Sequence, residues 1–102
     1  MLCGSSDEAD NNHFLQFRQH LVSTNVTVVQ VTWQKASGSS TDVRGSTTLV
    51  ANRWYQYDCL SSGTAYNLLL NGVAETLVGA VNNGNWFADI SGRDNFAVGR
   101  RH

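Results

Sequence analysis

The side chains of this protein best suited to contact a ligand are aromatic rings that stand beside amides. Trp86 directly follows the polar turn sequence Asn83-Gly84-Asn85, and such a turn can present an aromatic face to solvent. Binding pockets combine apolar walls with a few polar groups, and a sugar suits them because its ring stacks on an aromatic face while amides and guanidinium groups bind its hydroxyls. The ligand-binding residues that this pattern predicts are Trp86, Asn83, Asn85, Arg93 and Tyr66. The alternative for Trp86 is a place in the hydrophobic core.

Carboxylates are too few and too scattered for acid–base catalysis. A retaining glycosidase needs two carboxyl groups about 5 Å apart, one as nucleophile and one as acid. The glutamates are Glu8, in the polar start, and Glu75, which has no acidic neighbour in alternation with it. A Gly-x-Ser-x-Gly nucleophile elbow and the ligand spacings of zinc sites are also absent from the sequence. We therefore expect a protein that is not an enzyme.

Two aspartates provide a candidate metal site. Asp89 and Asp94 flank Ser91-Gly92-Arg93, and calcium prefers oxygen ligands such as carboxylates. The alternative is that Asp94 caps the turn before Phe96, while Asp89 is a solvated strand residue. A dense acidic run of the Asp-x-Asp-x-Asp-Gly kind is absent from the sequence. We expect no cofactor, with calcium at Asp89 and Asp94 as the alternative.

Charge and hydropathy argue against two classes of partner. Seven basic and eight acidic residues give a net charge of −1, without a basic stripe that could neutralise phosphates. Nucleic acid is therefore not an expected partner. No apolar run approaches the length of a membrane span, so a membrane is not expected either. The first ten residues lack the basic and apolar regions of a secretory signal, and the sequence leaves the compartment open.

Short strands and turns account for nearly all of the sequence. β-branched residues and period-two alternation predict about eight strands, separated by turn signals at the spacing of an all-β sandwich or barrel. Asn71-Gly72 after an apolar run predicts a tight hairpin turn, because such a pair adopts positive φ angles. Residues 1–12 form a polar start that can be flexible, and residues 13–102 form a single domain. The predicted strands are 13–22, 26–33, 46–51, 54–59, 66–72, 73–81, 86–90 and 96–99.

The core and the cysteines follow from this arrangement of strands. A turn at residues 61–64 brings the strand opened by Trp54 beside the next one, so we expect Trp54 and Leu69 to be buried together. Cys3 lies in the polar start and Cys59 in the Trp54 strand. The two cysteines could pair if the start folds back along that strand. The alternative is that Cys59 is a small buried hydrophobe.

Three segments resemble laminin G-like domains of the concanavalin A-like superfamily. The sequence from Asn52 to Tyr55 resembles the "N-x-W-Y/H" strand of that family, and residues 68–72 resemble its "L-Y/L-x-N-G" strand. Residues 94–99 are similar to the family's next strand, which commonly ends in Ile/Val-Gly. The resemblance covers roughly residues 46 to 100. It implies an antiparallel β-sandwich of the jelly-roll, concanavalin A-like kind, and a location outside the cell or on the surface of a particle.

The same resemblance implies the expected function. It points to a non-catalytic recognition module that binds a glycan or a protein, with carbohydrate ahead of protein. Further strands of the family, before Phe14 and after Arg101, have no counterpart in the sequence, and free sheet edges tend to pair. We therefore expect a homo-oligomer that forms through edge strands. The alternative function is a structural or assembly protein, for example a phage or particle surface component, whose sheets are completed by neighbouring copies.

Overall fold

Two antiparallel β-sheets make up the part of the chain that the computed structural model describes, residues 2–6, 13–34, 40–79, 81–90, 92–93 and 95–99. Within these ranges the fold is all-β, as the spacing of strands and turns predicts, and the one helical element is a short 3-10 helix at Phe87–Asp89. The strands are β1 (Cys3–Ser6), β2 (Phe14–Ser23), β3 (Val26–Gln34), β4 (Thr41–Arg44), β5 (Tyr57–Ser61), β6 (Tyr66–Leu70), β7 (Val73–Ala74), β8 (Val78–Gly79) and β9 (Asn95–Val98).

The larger sheet has six strands in the order β8-β4-β3-β2-β1-β9. The centre of this sheet is the long β2–β3 hairpin. The sequence predicts this hairpin from the β-branched run after Thr24-Asn25. Asn25 takes the positive φ of 64° that the tight turn requires. β1 lies between β2 and β9, so four residues of the polar start at 1–12 form an interior strand of this sheet.

The smaller sheet has three strands in the order β5-β6-β7. Its β6–β7 turn is the predicted Asn71-Gly72 pair, with φ angles of 52° and 77°, so this hairpin prediction is confirmed. The turn is joined to the residue before β5 by two hydrogen bonds of 2.8 Å. In one the N–H of Asn71 donates to the carbonyl of Gln56, and in the other the N–H of Gln56 donates to Oδ1 of Asn71.

Side chains from both sheets form one hydrophobic core. Alternation in β2 directs Leu15 and Phe17 inward, and the paired residues of β3 and β4 continue the same face. From the smaller sheet, Tyr66 and Leu68 of β6 complete the cluster. The buried members are Leu15, Phe17, Val31, Val43, Tyr66, Leu68 and Ile90, and half-buried residues pack around them, namely Cys3, Trp33, Tyr57, Cys59, Leu77, Trp86 and Phe87.

The opposite face of the larger sheet is polar. Arg18 of β2 donates from Nε to Oε1 of Gln30 at 3.1 Å, and the Thr32 hydroxyl donates to Oδ1 of Asp42 at 2.7 Å. A guanidinium nitrogen of Arg18 also lies 3.9 Å from the Asp42 carboxylate. These contacts satisfy the polar atoms of Gln30 and Thr32, which are buried between their neighbours.

The predicted burial of Trp54 is wrong. Trp54 is completely exposed, and Leu69 is half-buried on the outer face of its sheet. The reason is that the strand begins later than predicted, at Tyr57, so Tyr57 and Cys59 face the core across from Leu70 and Leu68. Trp54 lies in the connection that precedes this strand.

Three predicted strands also differ from the structure. Residues 46–51 form no strand, because after Arg44 the chain contacts β3 only through isolated hydrogen bonds. The return from the Asn71-Gly72 turn is divided, since β7 pairs with β6 whereas β8 pairs with β4 of the other sheet. Residues 86–90 form a 3-10 turn instead of a strand, because the Asp89 carboxylate accepts the Trp86 N–H at 2.6 Å and closes the chain on itself.

Among the described residues, no helix is long and apolar enough to cross a membrane.

Candidate functional site

Polar groups of the predicted binding turn, Asn83 to Asn85, form hydrogen bonds within the protein. Oδ1 of Asn83 accepts a hydrogen bond from the N–H of Asn85 at 3.0 Å, which fixes the turn before Trp86. The hydroxyl of Tyr66 donates to the carbonyl of Asn85, and the Tyr66 side chain is 4% exposed. Its ring therefore has almost no surface on which a ligand could stack. Burial raises the pKa of the Tyr66 hydroxyl, with smaller contributions from Cys59 and Asp89.

Trp86 packs against the core. Its ring centroid lies 5.6 Å from that of Phe17 and 5.2 Å from that of Phe87, and its side chain is half-buried. Such tilted and edge-to-face contacts stabilise a core beyond the area that they bury. The structure thus agrees with the alternative interpretation of Trp86 as a core residue, and the loop before it holds the ring in place.

The remaining predicted residues do not form a cluster in the described structure. Arg93 is exposed, without a described polar contact, and Asp94 lies outside the described residues. The carboxylate of Asp89 accepts the Trp86 N–H, so it serves the 3-10 turn. Within the described ranges, no group of three or more His, Cys, Asp or Glu side chains could hold a metal ion.

A groove of about 1040 Å³ lies at another end of the molecule, between the tip of the β2–β3 hairpin and the loop that joins β4 to β5. We call it the hairpin groove. Its apolar part includes three exposed side chains, Leu21, Val22 and Val50, which are 64%, 41% and 53% exposed, together with Leu49 and Ala51. Its polar part consists of amides and hydroxyls, Gln19, Ser23, Thr24, Asn25, Thr27, Thr48, Asn52 and Tyr55. Among the described residues that line the groove, Arg53 carries the one charge.

Specific hydrogen bonds hold the loop wall of the hairpin groove. The N–H of Leu49 donates to the carbonyl of Thr27 in β3 at 2.7 Å, and the N–H of Val50 donates to the hydroxyl of Tyr55 at 2.9 Å. Asn52 takes a φ of 58°, a conformation that Asn tolerates better than most residues, and so reverses the chain at the tip of the loop. The loop wall is thus defined before any ligand binds.

Glu75 fixes the start of the same loop. Its carboxylate accepts the N–H of Thr47 at 2.8 Å and the Thr47 hydroxyl at 2.7 Å. A Cβ at Gly45 would meet that carboxylate, so the absence of a side chain there leaves room for Glu75. The glutamate that sequence analysis considered as a catalytic acid is therefore a structural acceptor.

Trp54 comes between Arg53 and Tyr55 in the sequence, two residues that line the hairpin groove, and is not itself among the lining residues. Its side chain is fully exposed, which is unusual for so large an aromatic residue. This exposure was not predicted, because Trp54 was expected to open a strand. The signal against a strand was Asn52, since Asn is depleted in strands and favours turns.

The hairpin groove has the chemistry of a binding site. Amides and hydroxyls can donate and accept hydrogen bonds without charge, while the leucines, the valines and the ring of Tyr55 offer apolar surface. Within the groove, the described side chains include no acidic residue that could act as a general acid or base. The arrangement therefore suits a neutral ligand that carries many hydroxyl groups.

No family model matches the sequence, and neither curated proteins nor solved structures include a match to it.

Proposed function

We propose that this protein is a non-catalytic recognition module that binds carbohydrate in the hairpin groove, on a β-sandwich of the jelly-roll, concanavalin A-like kind. The observation that supports the proposal most strongly is the fully exposed ring of Trp54, whose sequence neighbours Arg53 and Tyr55 line a groove rich in amides and hydroxyls. Leaving a tryptophan entirely in water forgoes the stabilisation that its burial would bring. That cost is offset if the ring serves to bind a partner.

Carbohydrate fits the groove better than a charged ligand does. A sugar ring has apolar faces that stack on aromatic side chains and hydroxyls that pair with uncharged donors and acceptors. The groove offers both, with Arg53 as its one charge among the described lining residues. Its volume, about 1040 Å³, is at the upper end of the range for small-molecule sites, so an oligosaccharide suits it better than a monosaccharide.

Binding to an array of neutral oligosaccharides, followed by titration of Trp fluorescence, tests the proposal. Trp54→Ala should weaken the binding of any glycan found by at least about fivefold, because stacking contributes about 1 kcal/mol beyond buried area. Phe96→Ala is the matched control, since Phe96 is another exposed aromatic residue and lies in β9. Equal affinity of the wild-type protein and Trp54→Ala for a glycan would overturn the proposed site.

A second candidate function is assembly with other copies of the chain, and the edge strand β9 favours it. The registers place Phe96 and Val98 on the same face as Leu15 and Phe17, yet these two β9 side chains are 62% and 72% exposed. The described strand, Asn95–Val98, has no charged side chain, so two copies could pair in antiparallel fashion without repulsion. A specific interface would bury at least about 1,000 Å² in total.

Light scattering across a range of concentrations tests this second candidate. Assembly through β9 predicts a multimer that Phe96→Asp converts to a monomer, because a carboxylate in a strand-to-strand interface would be desolvated. Trp54→Ala should leave the mass unchanged. A monomeric mass for the wild-type protein at every concentration would exclude the candidate.

A further inference from the structure

The two cysteines of the chain come from different sheets and meet at one core. Cys3 is in β1 of the larger sheet, where it pairs with Phe17 of β2, and Cys59 is in β5 of the smaller sheet, where it pairs with Leu68 of β6. Both side chains are half-buried and pack against the same hydrophobic cluster, which includes Phe17 and Leu68. Both are free thiols in this structure.

Tyr57 packs against the same core as the two cysteines. It is two residues before Cys59 on the inward face of β5, and both cysteines act on its hydroxyl group. Burial is the main cause that raises the pKa of Tyr57, followed by Cys59 and then Cys3. Burial also raises the pKa of Cys59 to about 12, with a further contribution from Cys3. These electrostatic effects agree with the packing, since Cys3, Tyr57 and Cys59 all pack against the same core cluster.

We propose that Cys3 and Cys59 are an oxidation site, at which a small-molecule disulfide such as oxidised glutathione converts the two thiols into a bond that joins the two sheets. The sequence contains no other cysteine, so each has a single possible partner within the chain. Inter-sheet disulfides of this kind stabilise other folds made of two packed sheets.

The reaction balances as two consecutive exchanges. The thiolate of one cysteine attacks a sulfur of oxidised glutathione, forms a mixed disulfide and releases one glutathione thiolate. The thiolate of the other cysteine then attacks the protein sulfur of the mixed disulfide, and the second glutathione leaves. The protein loses two protons and two electrons, and one glutathione disulfide takes them up to become two glutathione thiols. Because burial raises the pKa of both thiols, the exchange should be faster at alkaline pH.

The cross-link would restrain the unfolded chain strongly. Cys3 and Cys59 enclose more than half of the sequence, and a disulfide that closes a long loop removes more conformational freedom from the unfolded state than one that closes a short loop. For a domain of this size the midpoint of thermal unfolding should rise by about 10 °C or more.

Incubation of the reduced protein with a glutathione redox buffer tests the inference. The wild-type protein should lose both thiols and two hydrogens of mass without a glutathione adduct, and its unfolding midpoint should rise and return when dithiothreitol is added. Cys3→Ser and Cys59→Ser should each take up at most one glutathione and show no such rise.

Peptide mapping of the wild-type protein needs no variant to fold. Trypsin cleavage after Arg18, Arg53 and Arg93 places the cysteines on separate peptides, residues 1–18 and 54–93. The inference predicts that these peptides are linked without reductant and separate with it. Retention of both thiols, glutathione on both cysteines, or a disulfide between two protein molecules would each overturn it.

Discussion

The Glu75 carboxylate holds Thr47 by two hydrogen bonds, from the backbone N–H at 2.8 Å and from the hydroxyl at 2.7 Å. Glu75 follows β7 of the smaller sheet, whereas Thr47 begins the loop that lines the hairpin groove. This pair of contacts therefore connects the position of the proposed binding loop to the Asn71-Gly72 hairpin.

Removal of this contact should loosen the loop more than it destabilises the fold. Glu75→Ala leaves the Thr47 N–H to water, and because the site is exposed the free energy of unfolding should fall by only about 1 kcal/mol. The amide hydrogen of Thr47 should exchange with solvent faster, as NMR-detected hydrogen exchange can measure. In Glu75→Gln, which keeps one acceptor oxygen, the exchange rate at Thr47 should lie between those of the wild-type protein and Glu75→Ala. Unchanged exchange at Thr47 in Glu75→Ala would contradict this account of the loop.

The two tryptophans that sequence analysis assigned to opposite roles should respond in opposite ways. Trp86→Ala removes a ring packed against Phe17 and Phe87, so the free energy of unfolding should fall by about 2 kcal/mol or more. Trp54→Ala removes a fully exposed side chain and should change it by less than about 0.5 kcal/mol. Urea denaturation followed by circular dichroism measures both. A larger loss for Trp54→Ala would show that the ring is buried after all.

The tyrosine hydroxyls of the core make a matched pair. The hydroxyl of Tyr57 is buried without a hydrogen-bond partner in the described structure, whereas that of Tyr66 donates to the Asn85 carbonyl. Tyr57→Phe removes a polar group that folding desolvates, so stability should rise by up to about 1 kcal/mol. Tyr66→Phe breaks a hydrogen bond and should lower stability by about the same amount. Thermal melts of the two variants at neutral pH provide the comparison, and equal losses in both would contradict it.

Stability should fall at alkaline pH. Burial raises the pKa of Cys59 from 9.0 to about 12, and it raises the pKa of Tyr57 and Tyr66 as well. A folded pKa above the unfolded one means that the unfolded chain loses its proton first, so stability is fully present below about pH 9 and declines as pH rises towards 12. Urea denaturation of the reduced protein at a series of alkaline pH values measures the decline. Cys59→Ala removes one of the groups, so the free energy of unfolding should fall less steeply with pH. An identical slope in the wild-type protein and Cys59→Ala would show that Cys59 does not contribute to the decline.

Local sequence predicts those parts of this fold that depend on local chemistry. The β2–β3 hairpin follows from the β-branched residues after Asn25, and the β6–β7 turn from the positive φ angles of Asn71 and Gly72. The loop before Trp54 is held by hydrogen bonds between residues distant in sequence, among them those of Thr47 to Glu75. Such contacts leave no periodic signal, which is why the hairpin groove could not be predicted from the sequence.

The same limit applies to the predicted ligand residues. The turn from Asn83 to Asn85 was correctly identified as polar, but polarity does not reveal whether the amides face solvent or one another. The buried Gly84 decides the matter in part, because a Cβ there would collide with the backbone of Thr64 and Ala65. The loop can therefore pack closely on the β5–β6 turn, and its polar groups can form hydrogen bonds at that contact.

The pairing of β1 with β9 has a consequence for how the chain folds. These two strands lie near opposite ends of the sequence, so that Cys3 pairs with Val98 although nearly all of the chain lies between them. A contact between residues so far apart in sequence must close a long loop, and the conformational entropy lost in doing so precedes any stabilisation from the contact. Such contacts therefore form slowly and late. The β2–β3 and β5–β6 hairpins, each with a short turn, should form first. Until β9 pairs with β1, the backbone N–H and C=O groups at that edge of β1 are free to pair with another chain. We expect aggregation during refolding to begin there.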